Sequence, residues 1–207
     1  LYIIYYILYI MEPHMSENDK KIFYKYLNNA NYYFEYGSGG STYQASTRNN
    51  IKKIYSVESD LMWHNSLKQK IQTDNISYIY NDMNSKSNSW GHPGKDATDN
   101  QKINYSEQIK HLHPDEQKAI DFILIDGRFR VACCLKCYNV INNNCIIAFD
   151  DFIGRKCYHI VLDYFEIIEK SKDNKSVGRI DHLIILKKKP NLNIPESIIK
   201  KYELICD

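Results

Sequence analysis

The sequence predicts an α/β protein with a doubly wound, mostly parallel sheet of about seven strands, the last one antiparallel, and helices on both faces. Three observations support this prediction. Unbroken apolar runs such as "FILI" and "CIIAF" are typical of strands buried on both faces of a parallel sheet. Segments with helical periodicity separate these runs, as the crossover connections of a parallel sheet require. At 207 residues, the chain has the length of one domain with one core.

The first half of the chain alternates between predicted helices and strands. Ser16 is a candidate helix N-cap with Asp19 three residues later, and apolar residues then recur at helical spacing. There follow, in order, strand "NYYFEY", helix "STYQASTRNN", strand "KKIYSVESD", helix "LMWHNSLKQKIQ" and strand "ISYIY". This is the alternation of a doubly wound sheet.

The second half contains an interruption and then resumes the pattern. Residues 83–118 are rich in Asn, Ser, Gly, Pro and Asp, which predicts an insertion loop or lid. Next come strand "DFILID", helix "RVACCLKCYNVI", strand "CIIAFDD" and helix "CYHIVLDYFEIIEK". "VGRI" and "HLIILKKK" predict a terminal antiparallel pair, because only a dipeptide lies between their cores. We expect the domain to span 16–190, between an N-terminal extension, 1–15, and a C-terminal tail, 191–207.

Composition and charge exclude several classes of partner. The formal net charge is only +2 and the basic residues form no stripe, so we expect no nucleic acid partner. The apolar opening "LYIIYYILYI" is shorter than the roughly 20 residues of a membrane span and follows no basic region, so we expect no signal peptide and no membrane partner. The six cysteines lack zinc-finger spacing and are typical of reduced thiols in a cytoplasmic protein. The oligomeric state stays open, and a homodimer is one option.

The stretch "EYGSGGST", residues 35–42, ends the first predicted strand in a glycine turn. Such a turn lets a ligand approach the backbone closely and lies at the start of a helix. The stretch departs from the dinucleotide fingerprint, because Thr42 stands where the third glycine belongs and Glu35 would repel a pyrophosphate. A ligand with a cationic group fits this turn better than a dinucleotide.

The acid, glycines and small residues of this stretch resemble the first motif of class I methyltransferases that use S-adenosylmethionine (SAM), and the resemblance covers roughly residues 16–190. It implies that Glu35 holds the methionyl ammonium, that Glu58 accepts the ribose hydroxyls and that Asp82 receives the adenine amino group. The full set implied to bind the cofactor is Glu35, Gly37, Ser38, Gly39, Ser41, Glu58, Ser59, Asp82, Met83 and Asp126.

Further stretches, "YSVESD", "WGHP", "LIDGRFR" and "DDF", look like a group of small bacterial and viral methyltransferase-like proteins. Some relatives of that group act on sugar hydroxyls. The resemblance therefore implies SAM-dependent O-methylation of a sugar, a glycan or another small polar acceptor, with S-adenosylhomocysteine (SAH) as the product.

Three acids end the fourth and fifth predicted strands, Asp126 in "LIDGRFR" and Asp150 and Asp151 in "IAFDDF". Because parallel neighbours end at one edge of the sheet, these carboxylates should converge there. In one interpretation Asp126 or Asp151 is a general base without a metal, since crowded carboxylates raise one another's pKa. Arg128 or Arg130 then fixes the acceptor or balances the negative charge. The candidate catalytic residues are Asp126, Asp151, Asp150 and Arg128.

A second interpretation places Mg²⁺ between the same three acids, since this ion prefers oxygen ligands. Asp126, Asp150 and Asp151 are similar to the acids that bind the ion in metal-dependent O-methyltransferases of the catechol and macrolide-sugar types. Arg128 departs from that pattern, because the catechol-type enzymes carry a lysine base in this stretch and a guanidinium is a poor base. We expect a site without a metal, with Mg²⁺ as the alternative.

The insertion also supplies Trp90, His92 and Tyr105. A tryptophan in a polar loop indicates either a lid that covers adenine or a sugar face, or a hydrophobic plug. His92, His159 and His182 are reserve candidates for a base that no spacing singles out. Two alternatives to an active methyltransferase stay open, a non-catalytic binding module of the same fold and a NAD-dependent, sugar-modifying oxidoreductase.

Overall fold

The computed structural model describes residues 11–171 and 182–206, which contain one seven-stranded sheet. Its strands are β1 (Tyr32–Tyr36), β2 (Lys53–Glu58), β3 (Ile76–Tyr80), β4 (Phe122–Ile125), β5 (Ile146–Phe149), β6 (Phe165–Lys170) and β7 (Ile184–Lys188). Their order is β3-β2-β1-β4-β5-β7-β6. The first five are mutually parallel, and β7 is antiparallel to both β5 and β6. The predicted fold class is confirmed.

Helices cover both faces of this sheet. They are α1 (Glu17–Leu27), α2 (Gly40–Ser46), α3 (Leu61–Lys70), α4 (Asp99–Glu107), α5 (Pro114–Ala119), α6 (Arg130–Tyr138) and α7 (Glu196–Tyr202), with 3₁₀ segments at Gln108–His111 and Lys156–Asp163. Because side chains alternate along a strand, β1 divides between two apolar clusters. Tyr33 packs with Phe23 of α1, whereas Phe34 and Tyr36 belong to the cluster that includes Tyr105 of α4.

Ser16 is the N-cap of α1, as predicted, and accepts a hydrogen bond from the backbone N–H of Asp19. In return, the Ser16 hydroxyl donates to the carboxylate of Asp19, at 2.9 Å. This carboxylate also accepts from the backbone N–H groups of His182, at 3.1 Å, and Leu183, at 3.0 Å, and from the hydroxyl of Ser171. Asp19 therefore ties α1 to the beginning of β7.

Three predicted features differ from the structure. The predicted loop 83–118 contains α4 and most of α5, and α4 begins with a reciprocal capping box between Thr98 and Gln101 that the composition of the segment concealed. The predicted helix "CYHIVLDYFEIIEK" is a 3₁₀ segment followed by strand β6. The antiparallel terminal pair is β6 with β7, so its first strand was placed wrongly, and "VGRI" lies outside the described residues.

The ends of the described chain pack on the domain. Gln44 of α2 donates to the carbonyl of Met11, at 2.7 Å, and to Glu12, at 3.1 Å. Ile199 of α7, within the predicted tail, is buried in the larger apolar cluster.

Four of the six cysteines are buried as small hydrophobic residues. In residues 11–171 and 182–206, no helix combines the length and the apolar character that a membrane span needs.

Candidate functional site

The carboxyl ends of β1, β2, β4 and β5 open into one cleft of about 1120 Å³. Residues 12–16 and parts of the stretch 87–91 form its other walls. Its volume slightly exceeds the roughly 300–1,000 Å³ that is usual for small-molecule sites. The cleft therefore has room for a cofactor together with a small acceptor.

The glycine turn after β1 forms the floor of the cleft. Gly37 has φ +93°, and a Cβ there would lie 2.7 Å from the carbonyl oxygen of Asp126, so the turns after β1 and β4 pack backbone against backbone. A Cβ on Gly39 would meet no atom within 4 Å, which leaves this side of the turn open.

The backbone amides of the turn already have partners. The N–H groups of Gly37, Ser38 and Gly39 donate to the Val57 carbonyl, to Glu58 and to Thr42 Oγ1, respectively. A pyrophosphate is held by unpaired amides at such a turn. These three amides are therefore not available to a phosphate, while the open side of the turn allows a ligand to approach closely.

Glu35 does not line the cleft, contrary to the prediction that it meets the cofactor ammonium. It is fully buried, and its carboxylate accepts from the hydroxyls of Tyr33 at 2.9 Å, Ser41 at 2.6 Å and Ser56 at 2.6 Å, and also from Thr42. Burial raises the pKa of Glu35, and the four hydroxyl donors oppose that rise. Glu35 joins β1, β2 and α2 beneath the turn.

Glu58, at the end of β2, lines the cleft as predicted. One carboxylate oxygen accepts from the N–H groups of Ser59, at 2.6 Å, and Asp60, at 2.8 Å. The other oxygen has only a long contact, 3.3 Å, with the N–H of Ser38. Burial raises the pKa of Glu58 to about 7. This second oxygen can accept a hydrogen bond from a hydroxyl of a ligand in the cleft.

The raised pKa of Glu58 predicts a pH dependence of stability. The group has a pKa of about 7 in the folded protein against 4.5 for an ordinary glutamate, so the folded protein keeps a proton that the unfolded chain releases. This contribution to the unfolding free energy is fully present below about pH 4.5 and is lost as the pH rises through about 7. Glu58→Gln should therefore reduce the loss of unfolding free energy between about pH 5 and pH 8 by at most about 2 to 3 kcal/mol.

Urea unfolding at several pH values measures this difference. Glu169→Gln is the matched control, because Lys25 lowers the pKa of that surface carboxylate and its titration lies below this pH range. An unchanged pH profile in Glu58→Gln would contradict the assignment.

The structure does not place Asp82, predicted to receive the adenine amino group, or Met83, predicted to bind the cofactor, among the residues that line the cleft. Asp82 is exposed and accepts from the N–H of Asn84, at 2.8 Å, while Met83 is buried in the core. The corresponding wall is formed by Asp60, Met62 and Trp63 at the start of α3.

Asp60 was missed although it directly precedes a predicted helix, the position of an N-cap. One of its carboxylate oxygens accepts from the N–H groups of Met62 and Trp63, and the other accepts from Asn88, at 2.9 Å. The indole N–H of Trp63 donates to the Ser38 carbonyl, at 2.8 Å. These bonds join α3 to the glycine turn and to the stretch that follows β3.

The structure brings Asp126, Asp150 and Asp151 together, with carboxylate oxygens within 4.8 Å of one another. Arg130, only 3% exposed, lies among them. Its Nη2 is 3.2 Å from Asp126 and 3.1 Å from Asp151, its Nη1 donates to the Asp150 carbonyl and its Nε donates to the Gly127 carbonyl. Sequence reasoning named Arg130 as a residue that fixes the acceptor or balances the negative charge, and missed this central position.

The pKa values of the acids and of Arg130 in this cluster are shifted by different amounts and for different reasons. Burial on its own disfavours the charged guanidinium, but the three acids outweigh it and raise the pKa of Arg130. Burial raises the pKa of Asp126, which Arg130 opposes, and burial followed by repulsion from Asp126 raises the pKa of Asp150 strongly. Both carboxyls are therefore harder to ionise than an ordinary aspartate, Asp150 more so, while Arg130 favours the charged form of Asp126.

The acid cluster does not fit Mg²⁺ as it stands. Oxygen ligands lie roughly 2.0–2.1 Å from this ion, which leaves no room for a second cation between them. Asp126 and Asp151 instead share the Nη2 group of Arg130. No catalytic step is therefore assigned to a metal.

Two of the three reserve histidines lie away from the cleft lining. His92 is 3.0 Å from Nη1 of Arg128, and His159 stacks on Phe152 with ring centroids 5.5 Å apart. Arg128 itself lines the cleft and is thereby linked to the stretch that carries His92. His92 and His159 are not placed to take a proton in the cleft.

His182 does line the cleft. Its Nδ1 is 3.0 Å from the Ile153 carbonyl, which only accepts, so Nδ1 donates to it and Nε2 is the acceptor of the corresponding neutral tautomer. The carbonyl of His182 accepts from the N–H of Phe152, at 3.0 Å, which holds it beside the end of β5. Because β7 is antiparallel, its beginning lies at the same sheet edge as the acids, a position that no local pattern revealed.

Trp90 lies at the mouth of the cleft. It is 62% exposed, which excludes the plug interpretation, and its ring centroid is 5.4 Å from that of His14. The pair joins two cleft walls, the one at residues 12–16 and the one at 87–91. A flat ligand at the mouth can stack on Trp90.

Comparison with known proteins identifies the fold. No protein-family model and no curated sequence matches the chain. A methyltransferase-like protein from Silicibacter pomeroyi matches it with a TM-score of 0.74 at 24% identity, over 93% of this chain and 98% of the other. The tRNA methyltransferases TrmK of B. subtilis and TrmI of Aquifex aeolicus match with TM-scores of 0.55 and 0.52, at 13% and 9% identity, over 85% and 89% of this chain and 67% and 73% of theirs. The chain has the fold of the class I methyltransferases.

Proposed function

We propose that the protein is a SAM-dependent methyltransferase that acts on an oxygen of a small polar acceptor, with a sugar or glycan as the preferred class. One observation carries the proposal. A single cleft contains a glycine turn, in which the amides of Gly37, Ser38 and Gly39 are bonded within the protein, with the Glu58 and Asp126 carboxylates on either side. This arrangement suits a ligand with a ribose and an ammonium and without a phosphate.

The residues of the cleft fit SAM. Gly37, Ser38 and Gly39 line the turn against which its methionyl part would lie, and Glu58 would accept the ribose hydroxyls. Asp126, whose side chain is 28% exposed, replaces Glu35 as the acid that would meet the ammonium. The wall at the start of α3 offers Trp63 for adenine. When bound, SAM supplies an electrophilic methyl group on a sulfonium.

The charge of the cleft supports SAM over NAD and a small acceptor over nucleic acid. Among the described residues, the cleft is lined by two arginines, Arg128 and Arg130, and by seven acids, Glu12, Asp19, Glu58, Asp60, Asp126, Asp150 and Asp151. The acids outnumber the arginines even when Glu58, Asp126 and Asp150, whose pKa values burial raises, are left out. A negative cleft attracts SAM, which carries an ammonium and a sulfonium against one carboxylate, and repels phosphates. The tRNA named for two structural neighbours is therefore not proposed as the acceptor.

His182 is the proposed general base. The carboxylates of Asp126 and Asp151 are already paired with Arg130, so Nε2 of His182, in the tautomer that donates from Nδ1, is the proton acceptor that this geometry offers at the cleft. It would take the hydroxyl proton of the acceptor as the oxygen is methylated. Arg128 and the exposed ring of Trp90 would orient a sugar ring from the mouth of the cleft.

Calorimetric titration with SAH, SAM and NAD tests the cofactor, and transfer of a labelled methyl group from SAM to neutral sugars and to tRNA tests the acceptor. We expect SAH to bind with a Kd of roughly micromolar order, NAD not to bind, and sugars to be preferred. His182→Asn should keep SAH affinity and lower turnover by about 10²- to 10⁴-fold. Absence of SAH binding contradicts the proposal, and SAH binding without turnover on any acceptor indicates a binding module.

A further inference from the structure

We propose that the Arg130 guanidinium is the built-in cation of the acid cluster, occupying the position from which a divalent metal would otherwise bridge Asp126 and Asp151. The cluster would then work without a metal. This inference concerns the cluster itself and does not depend on SAM or on the acceptor. It is tested with a metal ion alone.

The geometry of Arg130 is that of a buried structural cation. Every nitrogen of its guanidinium has a partner in the cluster or in the turns beside it, namely the Asp126 and Asp151 carboxylates and the carbonyls of Gly127 and Asp150. With its side chain 4% exposed, Arg130 is nearly inaccessible to an acceptor in the cleft. It therefore positions the acids rather than a substrate.

The backbone places Arg130 there. Phe129 has φ +52°, a left-handed conformation that is strained for a residue with a side chain, and it forms the N-cap of α6. Arg130 is consequently the first residue of α6, four residues after Asp126. The turn between β4 and α6 brings its side chain back to the end of the strand that carries Asp126.

The charges of the cluster also disfavour a further cation. Asp151 accepts from two guanidinium groups, since Nη2 of Arg155 is 3.1 Å from the same carboxylate oxygen that Arg130 contacts. Two arginines thus form ion pairs with Asp126 and Asp151, and a divalent ion would have to displace at least one of the two guanidinium groups. Arg155 is 41% exposed and is replaceable by water, whereas Arg130 is not.

Removal of Arg130 should convert the cluster into a metal site. In Arg130→Met the three carboxylates keep their convergence and lose their shared cation, which leaves an oxygen-rich pocket of the kind that Mg²⁺ and Mn²⁺ prefer. The matched control is Arg155→Met, which removes the exposed guanidinium from the same carboxylate and leaves Arg130 in place. The double variant Arg130→Met with Asp126→Asn removes one carboxylate ligand from the new site.

The experiment is titration of the full chain with Mn²⁺, followed by electron paramagnetic resonance, with SAH calorimetry on the same samples. We expect no saturable Mn²⁺ binding by the wild type or by Arg155→Met. Arg130→Met should bind Mn²⁺ saturably, with an apparent affinity at least about tenfold above any weak binding by the wild type, and the double variant should lose this binding. Saturable binding by the wild type that Asp126→Asn abolishes would overturn the proposal, as would a folded Arg130→Met that takes up no Mn²⁺.

If Arg130→Met is unfolded without the ion, recovery of its thermal transition on addition of Mn²⁺ supports the proposal. If that variant does not fold under either condition, the wild type and Arg155→Met decide the question by their Mn²⁺ titrations. SAH affinity is read separately, so loss of SAH binding in every sample would contradict the proposed function and leave the result on the metal intact.

Discussion

Gly37→Ala is expected to abolish SAH binding at concentrations that saturate the wild type and to lower the melting temperature. Gly37 has φ +93°, which costs an L-residue about 1–2 kcal/mol, and the added Cβ would lie 2.7 Å from the Asp126 carbonyl oxygen and 2.9 Å from the Gly127 nitrogen. Relief requires the turns after β1 and β4 to separate. We expect a total loss of about 3 kcal/mol, or roughly 6–12 °C in Tm for a domain of this size, and at least about a 100-fold loss of SAH affinity.

Gly154→Ala separates the two contributions. Gly154 has φ +92°, but its Cβ would meet no atom within 4 Å, so this variant carries the cost of the dihedral angle without the collision. It should lose only about 1–2 kcal/mol and keep SAH affinity. Differential scanning calorimetry and SAH titration of both variants provide the comparison. A Gly37→Ala protein that binds SAH as the wild type does would show that the turn is not the cofactor floor.

The fold was predictable wherever burial alone determines the element. The unbroken apolar runs of β4 and β5 and the glycine turn after β1 are local features, so both strands and the turn follow from short stretches of sequence. β6 was not predictable in the same way, because it is an edge strand with Ile167 and Ile168 about two-fifths exposed and a spacing that also suits a helix. Pairing with β7, which lies further along the chain, decides its conformation.

The sequence predicts which residues lie at the ends of the strands that form the site. It does not predict the direction in which each of their side chains points. The acids at the ends of β2, β4 and β5 reach the cleft because they end strands at one edge. Glu35 lies one residue before the end of β1, so the alternation of the strand turns it beneath α2, towards Tyr33 and Ser56. His182 depends on the antiparallel course of β7, which brings a distant part of the chain to the acids.

Glu35→Gln distinguishes a buried structural acid from a ligand of the cofactor. The carboxylate accepts four hydroxyl hydrogen bonds, whereas an amide has one acceptor oxygen and would present its NH₂ donors to hydroxyls that are themselves donating. We expect a loss of about 2–4 kcal/mol in the free energy of unfolding, measured with urea, and SAH affinity within about threefold of the wild type for the folded protein.

Glu116→Gln is the matched control, since Glu116 also accepts from a tyrosine hydroxyl, that of Tyr55 at 2.8 Å, and lies at a helix N-terminus where glutamine serves as well. Its stability should change by less than about 0.5 kcal/mol. The opposite pattern in Glu35→Gln, unchanged stability with a tenfold or greater loss of SAH affinity, would mean that Glu35 reaches the ligand directly. In that case Glu35 would bind the ammonium of the cofactor, and Asp126 would contact the acceptor instead.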